Sequence, residues 1–168
     1  MTEEMNAEKG SDRKDDRINH IPRRILVVDD EPCVLDLFPF MFPSPNYLVA
    51  VAADGRKALQ LAETQVFDLA IVDCILPGEK CAVAAIKLRK LQPNMKIVLM
   101  SGYYISDRTA VMKLAGAKAF LVKPFLVEHA QRIAAILLRE AKPTLMTSMD
   151  GDGVSSHRQE GVSAALLQ

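Results

Sequence analysis

Polar residues with useful chemistry stand directly behind short apolar runs in this sequence. Val28 is followed at once by Asp29, Asp30 and Glu31, Val72 by Asp73, Met100 by Ser101 and Val122 by Lys123. Gathered at one place, three carboxylates about 5 Å apart would repel by about 3 kcal/mol per pair at an effective dielectric constant near 20, so the cluster requires a cation. A hard divalent ion with oxygen ligands meets that need. Mg²⁺ suits one or two carboxylates, several retained waters and an incoming phosphate. Lys123 adds a fixed ammonium beside the same group. Metal and lysine together suit a phosphoryl group, and an aspartate held beside Mg²⁺ can act as a nucleophile and become an aspartyl phosphate. The metal and Lys123 would then stabilise charge on the equatorial oxygens of a loose transition state. Asp73, alone behind its apolar run, is the candidate nucleophile, and Asp29 and Asp30 form a pair suited to holding the ion.

These residues can meet only if the runs before them are parallel strands. Ile25 to Val28, Tyr47 to Ala52, Leu69 to Val72, Ile97 to Met100 and Ala119 to Val122 are continuous apolar runs, as expected of strands covered by helices on both faces. Segments of helical character separate them, which is the pattern of βα units around a parallel sheet. Ligands of such sheets gather outside the carboxyl ends of the strands, where the polar residues fall. Helix signals agree. Asp54 precedes Gly55 to Glu63, Ser106 or Asp107 precedes Thr109 to Ala115 with Gly116 closing it, Ala82 to Leu91 ends ahead of Pro93, and Pro124 precedes Leu126 to Arg139. The first helix should begin near Glu31 and bury Val34, Leu35, Leu37, Phe38 and Met41. Pro39 removes a backbone hydrogen bond there and clashes with the turn before it, so a kink or an early end is expected near Phe38.

The length of 168 residues suits one domain with polar tails. Residues 1–21 read as a disordered tail, 22–142 as the domain and 143–168 as a flexible tail, because the end segments lack the apolar content that repays ordering. Lys+Arg and Asp+Glu both number 21, so no global field draws the chain to nucleic acid or to an anionic membrane. Neither is expected as a direct partner. The uncharged stretch from Leu37 to Ala53 is interrupted by Pro39, Pro43 and Pro45 and cannot be an unbroken membrane helix. Cys33, Cys74 and Cys81 form no CxxC pair, and the first residues have no export character, so a cytoplasmic protein is expected. Cys74, with no partner or base nearby in the sequence, reads as a small apolar filler.

From about Arg23 to Ala141 the sequence resembles the response-regulator receiver domain, the chemotaxis-type family of two-component signalling. The resemblance is carried by ILVVDDEP (25–32), LAIVDCILPG (69–78), IVLMSGY (97–103) and AFLVKPF (119–125) in the family's order and spacing. It implies a doubly wound, flavodoxin-like α/β domain whose five parallel strands run in the order 2-1-3-4-5. It also implies roles. Asp73 would accept the phosphoryl group from a histidine kinase or histidine phosphotransferase, and Asp29, Asp30, Asp73 and the backbone carbonyl of Ile75 would hold Mg²⁺. Ser101 would hydrogen-bond a phosphoryl oxygen, Lys123 would pair with it, and Phe120 would occupy the aromatic switch position. Such a chain is a stand-alone phosphoacceptor that signals to a downstream protein by contact, and it is no enzyme beyond catalysing its own phosphorylation and dephosphorylation.

Two other classes compete. A degenerate receiver-like interaction domain would bind a partner without phosphorylation; the intact acidic set argues against it, and the proline-broken first helix leaves it open. A phosphohydrolase of the haloacid-dehalogenase type would need DxD behind the first strand, where this chain has DDE and then Pro32.

Overall fold

The computed structural model describes residues 21–139. The segments read as tails, apart from Ile21, and the last residues assigned to the domain lie outside the described residues, as do His20 and His157. In chain order the elements are β1 (Arg23–Val28), α1 (Pro32–Met41), β2 (Tyr47–Ala52), α2 (Gly55–Thr64), β3 (Leu69–Asp73), β4 (Ile75–Leu76), β5 (Glu79–Lys80), α3 (Cys81–Leu91), β6 (Lys96–Ser101), α4 (Arg108–Ala115), β7 (Ala119–Val122) and α5 (Val127–Arg139).

The five apolar runs form one parallel sheet in the order β2-β1-β3-β6-β7. Counting only its members, this is the expected order 2-1-3-4-5. Side chains alternate across a strand, and the alternation divides the core in two. Leu26, Val28, Ala70, Val72, Ile97 and Leu99 pack on one face with Ala58 and Ala62 of α2, Ala85 and Leu88 of α3 and Ala115 of α4. Ile25, Val27, Leu69, Ile71, Val98, Met100 and Leu121 pack on the other with Leu35 and Phe38 of α1 and Ala130, Ala134 and Leu138 of α5. Both faces being covered explains why β3, β6 and the buried stretch of β1 are continuously apolar. Each buried Leu, Ile or Val contributes about 1.5–3 kcal/mol.

Local signals place most helix ends as expected. The Asp54 carboxylate accepts from the Lys57 N–H at 2.7 Å, and that of Asp107 from the Ala110 N–H at 2.8 Å. Gly116 ends α4 at φ 65°, a left-handed conformation that suits glycine. The first helix differs from expectation, for it neither stops nor breaks at Pro39 and runs to Met41. Pro39 is the eighth of its ten residues, so the single backbone bond lost is near the end, and the Phe42 N–H still reaches the Phe38 carbonyl at 3.0 Å. Packing holds the last turn down. Phe38 stacks on Phe42 at 6.3 Å between ring centroids, Phe42 meets Tyr47 edge-on at 5.3 Å, and Phe125 lies 6.4 Å from Phe38. Leu37, expected in the core, is 58% exposed, because the buried stripe falls on Leu35, Phe38 and Met41.

One side chain ties the end of α3 to the end of α2 and the connection behind it. The Gln92 amide donates to the carbonyls of Ala62 at 2.7 Å and Gln65 at 2.6 Å, and its oxygen accepts from the Phe67 N–H at 2.8 Å. Ala62 lies in the last turn of α2, and Gln65 and Phe67 in the connection between α2 and β3. Gln92→Ala would leave all three without this partner and is expected to lower stability by about 2 kcal/mol in a urea titration.

Candidate functional site

Three strand ends build the site. The Asp29 N–H donates to the Ala52 carbonyl at 3.1 Å, which extends the parallel ladder one residue past β1. Asp73 is the last residue of β3, between β1 and β6, and the Cys74 N–H behind it donates to the Met100 carbonyl at 2.8 Å. Lys123 follows β7, its N–H donating to the Ser101 carbonyl at 2.8 Å. The backbone ladder thus fixes the positions of Asp29, Asp73 and Lys123 before any side-chain contact is made.

The side chains then converge. The Lys123 ammonium donates to Asp29 Oδ2 at 2.6 Å, to Asp73 Oδ2 and, at 3.4 Å, to Glu31 Oε1. Backbone amides engage the other aspartate oxygens, Glu31 N–H donating to Asp29 Oδ1 at 2.9 Å and Ile75 N–H to Asp73 Oδ1 at 2.7 Å. Asp29, Asp73 and Ser101 are the buried polar residues of the described chain. Burial pushes the Asp29 carboxyl above the usual carboxylate range, against the opposing pull of Lys123 and of the Glu31 amide. Burial also works against the Lys123 ammonium, but its hydrogen bonds to Asp29 and Asp73 outweigh this and hold it above the ordinary lysine value.

Asp29, Glu31 and Asp73 each offer a carboxylate oxygen, and these oxygens lie within 4.8 Å of one another. Three hard anionic donors around one point fit a small divalent cation. Asp30, exposed, lines a cavity of about 200 Å³ with Glu31, Asp73, Ile75, Gly102, Tyr103 and Lys123. Glu31 is the residue that sequence reasoning left out of the acidic set. Adjacent side chains diverge, so of the Asp29–Asp30 pair one carboxylate turns inward beside Lys123 and the other to the cavity's rim, while the longer Glu31 reaches back.

The remaining predicted residues sit apart from this hydrogen-bonded group. Ser101 Oγ accepts from the Tyr103 N–H at 3.1 Å, so the hydroxyl is engaged with its own loop. Phe120 is half-buried, with the Arg108 guanidinium 4.6 Å above its ring, a cation–π contact. Cys74 has a neighbour that the sequence did not reveal, the thiol of Cys81, and their mutual interaction raises the pKa of Cys74 and lowers that of Cys81. The His129 side chain is exposed. No helix among the described residues is long and apolar enough to cross a membrane.

Known proteins are similar to this chain in sequence and fold. The sequence profile of the response regulator receiver domain matches residues 25–136. The transcriptional regulatory protein PdtaR of Mycobacterium tuberculosis is 31% identical over 135 residues, covering 79% of this chain and 63% of that protein. The alginate biosynthesis transcriptional regulatory protein AlgB of Pseudomonas aeruginosa is 31% identical over 152 residues, 86% of this chain and 33% of its own length. The chain therefore spans less than two thirds of either relative. Among solved structures, a CheY-like receiver domain protein from Methanospirillum hungatei superposes with a TM-score of 0.65 at 30% identity, covering 71% of this chain and 96% of that one. The response regulator TrrA of Thermotoga maritima, solved in complex with Mg²⁺-BeF, gives 0.61 at 30% identity, covering 68% and 98%. With its strand order, its acidic group and its lysine in place, this chain belongs to the response regulator receiver domain family of two-component signalling.

Proposed function

We propose that Asp73 is the phosphoacceptor of a receiver unit spanning residues 22–142, taking its phosphoryl group from a histidine kinase or histidine phosphotransferase and passing the signal on by protein contact. The observation that carries this reading is the Lys123 ammonium bound at once to Asp29 and Asp73, at the carboxyl edge of the sheet. Asp29, Asp30, Asp73 and the Ile75 carbonyl would hold Mg²⁺, and Glu31 lies close enough to join them. When bound, the ion supplies positive charge for the phosphoryl oxygens.

The chain's own residues do the rest. An Asp73 carboxylate oxygen forms the O–P bond as the donor's N–P bond breaks, and the imidazole leaves with the electron pair. Lys123 faces the oxygens on which charge gathers and stabilises them. The product brings a charge of about −1.5 to −2 and three acceptor oxygens. Ser101 would exchange its bond with Tyr103 for one to a phosphoryl oxygen, drawing residues 102–106 inward, and Phe120 would follow into the space released. Leaving the Arg108 guanidinium is the cost of that motion. All three cysteines are free thiols, which favours a cytoplasmic setting. The names of PdtaR and AlgB describe transcriptional regulators; for the unit described here a protein target is proposed, with no direct contact to nucleic acid or membrane.

The test is phosphoryl uptake from acetyl phosphate, followed by borohydride reduction, which converts an aspartyl phosphate to homoserine. Uptake should require Mg²⁺, vanish with EDTA and leave homoserine at position 73. Mg²⁺-independent labelling, homoserine elsewhere or no uptake would reject this reading, and the last would favour an interaction domain that works without phosphorylation.

A further inference from the structure

Just behind Asp73 the chain folds into a small hairpin that sequence periodicity does not announce. β4 and β5 pair antiparallel, Ile75 opposite Lys80 and Leu76 opposite Glu79, around a turn at Pro77 and Gly78. Gly78 has φ 76°, the left-handed position that follows proline in a type II turn. One step out along this ladder stand Cys74 and Cys81. The ladder's outermost facing pair is Ile75 and Lys80; facing residues have α-carbons about 4.5–5.5 Å apart, so the two cysteines that immediately flank this pair start near the range of about 4.4–6.8 Å that a disulfide spans. Both side chains pack in the same core cluster. Cys74 is half-buried and Cys81 buried, so an oxidant from solvent meets Cys74 first. Cys33 is exposed on α1 and belongs to neither strand of the hairpin.

We propose that Cys74 and Cys81 are a modification site that closes to a reversible disulfide on exposure to a hydroperoxide. The sulfur of one of the pair attacks the peroxide oxygen, an S–O bond forms as the O–O bond breaks, and the departing hydroxide or alkoxide takes up that thiol's proton and leaves as water or an alcohol while the sulfur loses two electrons. The partner sulfur then attacks the sulfenic sulfur, the S–S bond forms, and the departing hydroxide takes up the second thiol proton as water. A small-molecule dithiol reverses the change by exchange. The ring so closed contains Ile75, whose N–H holds Asp73 Oδ1. Tethering the root of the hairpin keeps that oxygen engaged, so the oxidised chain takes up phosphoryl groups more slowly than the reduced one; this second step rests on the phosphoacceptor reading.

The experiment treats the full chain, and the same chain carrying Cys33→Ser, with hydrogen peroxide and reads intact mass, alkylatable thiols and a peptide map. The expected result in the Cys33→Ser chain is a loss of two hydrogens, no remaining alkylatable thiol, a peptide joining Cys74 to Cys81, and full recovery with dithiothreitol. In a Cys81→Ser chain the sulfenic acid should persist on Cys74 and be trapped by dimedone. Oxygen added to Cys74 while Cys81 stays alkylatable in the unmutated pair, or crosslinks only between chains, overturns the site. Acetyl phosphate uptake by oxidised and reduced protein is then compared, with a decrease of about tenfold expected on oxidation. Equal rates overturn the coupling and leave the disulfide standing. No uptake by the reduced chain rejects the phosphoacceptor reading, and the mass result still decides the disulfide.

Discussion

An Asp73→Asn chain is expected to take up no phosphoryl group from acetyl phosphate at any Mg²⁺ concentration, while its unfolding transition stays within about 1 kcal/mol of the unsubstituted chain. The amide keeps the shape of the side chain and can still accept from Lys123 or from the Ile75 N–H, which hold the two carboxylate oxygens. It lacks the charge and the nucleophilic electron pair that attack on phosphorus requires. Stability should change little because two electrostatic effects oppose each other. The charge removed is attracted by Lys123 and repelled by Asp29 and Glu31, whose carboxylates lie within 4.8 Å. Mass spectrometry after acetyl phosphate treatment and a urea titration read the two outcomes, and persistent uptake by the variant would move the acceptor elsewhere.

The second large effect is expected at Lys123. Replacing it with methionine keeps most of the stem and deletes the ammonium that pairs with Asp29 and Asp73. Asp29 is fully buried, and without its counter-charge burial would push its carboxyl further above the usual range. Breaking a buried pair by removing one partner lowers stability by about 3–5 kcal/mol. The loss should be largest in EDTA and smaller at high Mg²⁺, since a cation that binds the folded state stabilises it by mass action. Phosphoryl uptake should fall by about 10²–10³, the usual effect of deleting one donor aimed at developing charge. Thermal melts with and without Mg²⁺, set beside uptake rates, separate the structural part from the chemical one. A melt that does not move in EDTA would show that the ammonium does not hold the carboxylates together.

Legibility followed the length and periodicity of each element. The inner strands β1, β3 and β6 could be read because burial on both faces writes them as apolar runs, the more exposed edge strands β2 and β7 because they too are apolar runs, and α2 and α4 because Asp54, Asp107 and Gly116 terminate them by local chemistry. Pro39 misled because its penalty is local, while the packing of Phe38 and Phe42 on Tyr47 and Phe125 depends on residues distant in sequence. A two-residue strand has no period to detect, so the hairpin over 75–80 was invisible, and with it the meeting of Cys74 and Cys81. At the site, Asp29, Asp73 and Lys123 could be placed from their positions behind apolar runs. Glu31 was missed because strand alternation fixes the direction of a side chain only as far as the strand continues, and the chain is already turning into α1 at that residue.

The sheet order has a consequence for how a bound protein could reach the acceptor. Asp73 is mounted on the central strand, fastened on both flanks, whereas Lys123 arrives from β7, which among the described residues is fastened on one flank only. The two halves of the ion pair are thus anchored with unequal firmness. A regulator that clasps the open margin of β7 would steady or slacken the ammonium's backbone and thereby adjust the reactivity of a carboxylate it never touches.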